Sequence, residues 1–224
     1  VAAFRRRHRF GKLFRRRALR TATAVAVRAP ERCSGKSLDV VKRTFYNAVM
    51  DTKANIIRAA ERLFDRNGFT ASGIDQLTQA ANVSSRTLYK HLGSKTGLVC
   101  AVLGERDRRF RESLDVQTVD ALFDALEDWI NMEGARGCLF LRALGEAGDR
   151  EPDVAACVRS QKAFLQERVR EIIRLELSAD HDDLADQILV LFEGATAGAI
   201  YLGQDAVDAA RNAARTLLAK SVGK

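Results

Sequence analysis

Only two prolines interrupt the 224 residues, Pro30 and Pro152, and neither falls inside a long periodic stretch. Proline removes a backbone donor and clashes with the preceding helical turn, so this scarcity leaves long uninterrupted helices open almost everywhere. Hydrophobic periodicity then fills the space. Ile56, Ala60, Leu63 and Phe64 recur on one helical face and close at Asn67-Gly68, where glycine accepts a left-handed terminus. Ser72 offers an N-cap for a second helix with Ile74, Leu77, Ala80 and Ala81 inward, and Ser84 or Ser85 can cap a short third one ending near His91. A longer fourth helix carries Leu98, Val102, Leu103, Phe110 and Leu114, a fifth Leu122, Leu126, Trp129 and Ile130, and a sixth spans Cys138–Ala147. Two long amphipathic helices follow, at about Asp153–Leu177 and Asp183–Leu202, and Val207, Ala210, Ala214, Leu217 and Leu218 mark a closing one. No strand alternation competes, so the pattern predicts an all-α chain.

Charge is distributed unevenly, and that limits what it implies. The net +8 hides a first fifty residues with 14 Lys/Arg against 2 Asp/Glu, a segment 51–100 with 7 against 4, and a remainder with 16 against 23. A claim of nucleic-acid binding must therefore rest on the modestly basic 51–100 segment and its motif, since the acidic C-terminal body would repel a phosphate backbone. Residues 1–49, rich in arginine and without a sustained period, form a basic N-terminal extension. Two readings fit it: an unstructured arm adding sequence-independent DNA affinity, or an over-extended start site ahead of Met50. The apolar part of Thr21–Val27 is too short for a secretory signal, and no stretch approaches the ~20 apolar residues of a membrane span.

The stretch Thr52–Leu103 carries the chemistry. A short serine-capped helix can enter the major groove, where Ser84, Ser85, Arg86 and Thr87 of its first turn would reach base edges. Arg86 reads either as a guanine fork or as a phosphate contact. Lys95 follows Ser94 at the start of the fourth helix, where free backbone N–H groups and a positive charge favour a phosphate.

The Ile57–Ala60–Leu63-Phe64 helix, Gly68, the Ile74…Ala80-Ala81…Val83-Ser84 turn, Thr87-Leu88-Tyr89…His91 and Ser94-Lys95 together resemble the DNA-binding domain of the tetracycline-repressor (TetR) family. The resemblance implies a helix-turn-helix domain at 50–103 and a helical effector-binding and dimerisation domain at 104–224. It adds Tyr89, His91 and, with less weight, Thr52 as phosphate contacts, beside Lys90 on the same helix; for Tyr89 a partly buried core position is the other reading. Arg86, Leu92 and Gly73 depart from the residues common in the family, and the first would alter operator preference.

In the second half the resemblance implies a pocket among the middle helices, for which Phe110, Leu122, Leu126, Trp129, Phe140 and Leu141 are candidates, each also readable as plain core. It further implies a two-fold dimer through the last two long helices, with Leu165, Val169, Leu191, Gly194, Ala195 and Gly198 at the interface and packing within one chain as the other reading. The expected function is a homodimeric, cytoplasmic, nucleoid-associated bacterial repressor, released from a palindromic operator by a small-molecule effector. The alternative is an activator or architectural DNA-binding protein whose C-terminal half only dimerises or recruits a partner. Catalysis is not expected: there is no catalytic His/Cys/Asp cluster, no phosphate-binding glycine loop, no C-x-x-C pair and no metal-ligand spacing, hence no metal or cofactor. The cysteines read as free thiols of a reducing cytoplasm, with a redox switch of Cys138 and Cys157 as the other reading.

Overall fold

The computed structural model describes the backbone of residues 37–222 and the side chains from 51 to 221 except Asp149. The chain divides into two units, residues 1–42 and 43–224. The expectations for residues 1–36 lie outside the described residues.

Nine α-helices follow one another, with no strand among the described residues: α1 (Ser37–Asn67), α2 (Ile74–Ala81), α3 (Ser85–Leu92), α4 (Lys95–Ser113), α5 (Val119–Glu133), α6 (Leu139–Ala147), α7 (Pro152–Leu177), α8 (Asp182–Leu202) and α9 (Gln204–Val222), with a 3₁₀ turn at Gly148–Arg150 before α7. The all-α expectation holds. The first helix, however, runs back through Met50 to Ser37, so residue 50 is not a structural boundary.

Caps explain most of the punctuation. Ser84, Ser94 and Thr118 each accept a hydrogen bond from the backbone N–H three residues on, at 3.1, 2.9 and 3.2 Å, and so start α3, α4 and α5. Pro152 opens α7, where its missing N–H costs nothing. At α2 the cap is Gly73 rather than Ser72: Gln76 reaches back to accept from the Gly73 N–H at 3.2 Å. Ser72 is instead buried and donates to the Gly68 carbonyl at 2.7 Å, fixing the turn after α1. Gly68 itself sits at φ +82°, a conformation that other residues rarely adopt.

Two cores result. One joins Ile56, Phe64, Leu77, Leu88, Leu98 and Leu103 of α1–α4 to Leu139, Phe140 and Ala143 of α6 and Val154 and Val158 of α7. The other runs from Phe110 and Leu114 through α5 to the distal half of α7, α8 and α9. The expected division at residues 103/104 is therefore not a packing boundary, because α6 and the start of α7 complete the core of the helix-turn-helix.

Candidate functional site

The exposed end of the first core is built from α3 and the start of α4. Leu88 is fully buried and pins α3 to the domain, which turns Ser85, Arg86, Tyr89 and Lys90 outward, all of them exposed. Tyr89, 44% exposed, is therefore not a core aromatic. Ser84 and Thr87 are engaged in the cap, their hydroxyls 2.9 Å apart. Among the first-turn residues, that leaves Ser85 and Arg86 as the side chains free to reach a base edge.

Lys95 lies half-buried at the first position of α4, and its ammonium donates to the Thr70 carbonyl at 3.3 Å. One of its three protons is thereby spent on orientation, and the remainder, with the N-terminus of α4, can meet a phosphate. His91 is half-buried near the end of α3, and Thr52, expected near the front of the first helix, is half-buried at the middle of α1 because that helix begins at Ser37. Gly97 sets the angle between α3 and α4: a Cβ built there would lie 2.2 Å from the Leu92 carbonyl oxygen. Sequence reading missed this close approach, which a glycine one turn into a helix could have signalled.

Two ties connect this end to the helices behind it. The Thr70 N–H donates to the Glu146 carboxylate of α6 at 2.7 Å, and the Thr96 hydroxyl donates to Glu151 before α7 at 2.8 Å. Burial works to raise the Glu146 pKa, but hydrogen bonds from the Thr70 and Phe69 backbone outweigh it and hold the carboxyl below its usual value. On the far side, Glu61 of α1 is buried beneath Arg106 and Arg109 of α4, at 3.1 and 2.6 Å, and both arginines also pair with Glu133 of α5. Asp65 binds Arg136 at 2.8 Å and Arg142 at 3.2 Å.

A small cavity of about 40 Å³ lies between α4, α5, α6, α7 and α8. Four of the expected residues line it: Phe110, Leu126, Trp129 and Phe140. Leu122 does not, being fully buried in the second core, and Leu141 points away on the outer face of α6, 48% exposed. The polar lining was not expected. Gln161 is 3% exposed and its Oε1 has no hydrogen-bond partner. Lys162 donates to Cys138 Sγ at 3.3 Å and to Glu193 at 2.5 Å. Arg106 lies over Trp129, 5.2 Å from the ring centre. Cys138 and Cys157 are both free thiols, as is Cys100, whose pKa is pushed up to about 12, mainly by burial.

The expected dimer residues divide. Leu165 and Val169 lie in their own chain's core, as do Ala195 and Gly198, with Ala206 3.1 Å from where a Gly198 Cβ would stand. They are unavailable to a partner, because the small residues of α8 serve the close packing of α9 within the chain. Gly194 is exposed and Leu191 half-exposed, and around them stand Val190, Ile200, Tyr201 and Leu202, with Tyr201 78% exposed.

Residues 56–102 match the family of bacterial regulatory proteins called the tetR family, and residues 116–217 match the tetracyclin repressor-like C-terminal domain. The chain is 28% identical over 128 residues to the HTH-type transcriptional regulator UidR of Escherichia coli (strain K12), a match spanning 55% of this chain and 65% of UidR, a little under two thirds of that protein. It is 28% identical over 159 residues to the transcriptional regulator AcuR of Cereibacter sphaeroides, spanning 63% and 73% of the two. A TetR-family transcriptional regulator from Streptomyces coelicolor of known structure superposes with a TM-score of 0.70 at 25% identity, over 76% of this chain and 96% of that one. With both halves matched in order and the all-α architecture shared, the chain belongs to the TetR family, a family of transcriptional regulators and not of enzymes.

Proposed function

We propose that the protein is a homodimeric repressor that binds a palindromic operator and is released from it by a small-molecule effector. The observation that carries this reading is α3: a serine-capped helix pinned by buried Leu88, with Ser85, Arg86, Tyr89 and Lys90 outward and Lys95 beside it at the start of the next helix. Residues of the first turn of such a helix read bases, and the surrounding cations and Tyr89, His91 and Thr52 hold the backbone. Such a repressor works at the nucleoid, in the cytoplasm.

A second copy would supply the other half-site reader. Its place is the α8–α9 face, where Val190, Gly194, Ala197 and Tyr201 form an exposed stripe with small residues at its centre. An apolar stripe of this kind is costly to leave in water, and the small residues let another helix approach. The cavity beside Trp129 is the place for the effector, since it touches α4, which begins beside α3.

Selection of binding sites from random duplex DNA by the full chain, at two salt concentrations, tests the reading. A palindrome enriched at both supports a sequence-specific dimer. Enrichment of a lone half-site removes the dimer, and no enrichment removes the regulator.

A further inference from the structure

Among the described residues that line the aromatic cavity, Gln161 is the one with a fully buried side-chain polar atom that lacks a partner. Arg106 is paired with Glu61 and Glu133, and Lys162 with Glu193 and Cys138. Gln161 Oε1, by contrast, is fully buried without a partner on a residue 3% exposed. A buried amide oxygen left without a partner is costly, so the site favours any guest that brings a hydrogen-bond donor to it. The rest of the wall decides what that guest is. Phe110 meets Trp129 edge-on at 5.1 Å and Phe192 at 6.4 Å, and Phe140 also lines the cavity. Such walls take a flat ring in edge-to-face contact, and they reject a net charge, because the charged residues at the site already neutralise one another.

We infer that this cavity takes a neutral hydroxylated aromatic molecule, its ring among Phe110, Trp129 and Phe192 and its hydroxyl on the Gln161 side-chain amide. A hydroxyl both donates and accepts, so it satisfies either edge of that amide. At about 40 Å³ the cavity holds little more than a water molecule. A ring-sized guest must therefore push the aromatic wall outward, and that wall includes Trp129, over which Arg106 lies. Entry of the ligand thus disturbs the arginine that holds Glu61 of α1, and this consequence rests on the proposed release of operator by an effector.

Trp129 is the single tryptophan of the chain, so its emission reports occupancy directly. The full-length protein is titrated with phenol, toluene, cyclohexanol and benzoate in the absence of DNA. Phenol is expected to give a saturable change at a concentration roughly tenfold below that for toluene, in line with one satisfied buried polar group, with cyclohexanol and benzoate weaker still. Gln161→Met, with helical content and melting checked, is expected to bring phenol and toluene to the same affinity. Equal affinities in the unaltered protein, no saturable change with phenol, or tightest binding by benzoate or cyclohexanol each overturn the inference. The phenol preference without an effect on operator affinity leaves the cavity assignment standing and removes only the release reading.

Discussion

Arg86 and Lys95 carry the same charge a few residues apart, but their surroundings give them different work. Arg86 stands free on the first turn of α3, while Lys95 is tied to the Thr70 carbonyl and sits at a helix N-terminus. Arg86→Ala is expected to relax preference at one base position by about 1–3 kcal/mol. Lys95→Ala should weaken all duplexes alike and reduce the salt slope by about 1. Titrations against matched and mismatched operators at several salt concentrations separate the two; a uniform loss for Arg86→Ala removes its base-reading role. Gly97 is decided by space alone. Since an added Cβ would lie 2.2 Å from a backbone carbonyl that no rotamer can move, Gly97→Ala should cost roughly 1–3 kcal/mol by overpacking, read as a lowered denaturant midpoint. Operator affinity should fall further than stability explains, because α3 and α4 are forced apart.

Among the elements, α4 is the common member of the α1–α4 core and the helices behind it. Its Arg106 is 5% exposed and sits between two carboxylates. Removing one partner of a buried ion pair leaves the others uncompensated, at about 3–5 kcal/mol; Arg109, which touches the same Glu61 and Glu133, softens this. Arg106→Leu is therefore expected near the lower end of that range in urea unfolding, and an unchanged midpoint would mean that Arg109 alone neutralises both acids. The α6 tie responds to pH instead. Because Glu146 is held below its usual value in the folded chain, its stabilising contribution is complete above the ordinary carboxylate pKa of about 4.3. That contribution is lost as pH falls through the lower, folded value. Between pH ~5 and ~3, the unaltered protein should lose more stability than Glu146→Gln, which has already lost the charge; parallel melting curves would show that the carboxylate contributes nothing.

For the whole molecule the proposed dimer would have to hold two copies of α3 at a fixed separation. Val190, 70% exposed on α8, lies on the stripe that a second copy would cover. Val190→Glu should leave the monomer's melting within about 0.5 kcal/mol, as surface changes do, while placing two like charges across the two-fold axis. Sedimentation is expected to show a monomer, with operator affinity lost and single half-site binding kept. A dimer that survives this change would move the interface off α8.

Much of this was legible in order along the chain. Scarce proline and apolar spacing determined an all-α fold, the bounds of α7 and α8 nearly to the residue, and a serine-capped α3 whose first turn must face outward, because caps and amphipathic faces are local properties of neighbouring residues. Four cavity residues followed the same way, their stripes pointing inward. What the tertiary structure decided was which inward or small residue meets which neighbour. Leu165, Val169, Ala195 and Gly198 carry the local signal expected of an interface helix, yet they are buried within the chain, while Val190 and Tyr201 remain outside. Gln161 and Arg106 read as ordinary polar residues on helices until α5 and α8 close over them. Such pairings join residues tens of positions apart, and burial turns an unremarkable side chain into a site only when its neighbours from distant segments have removed the water.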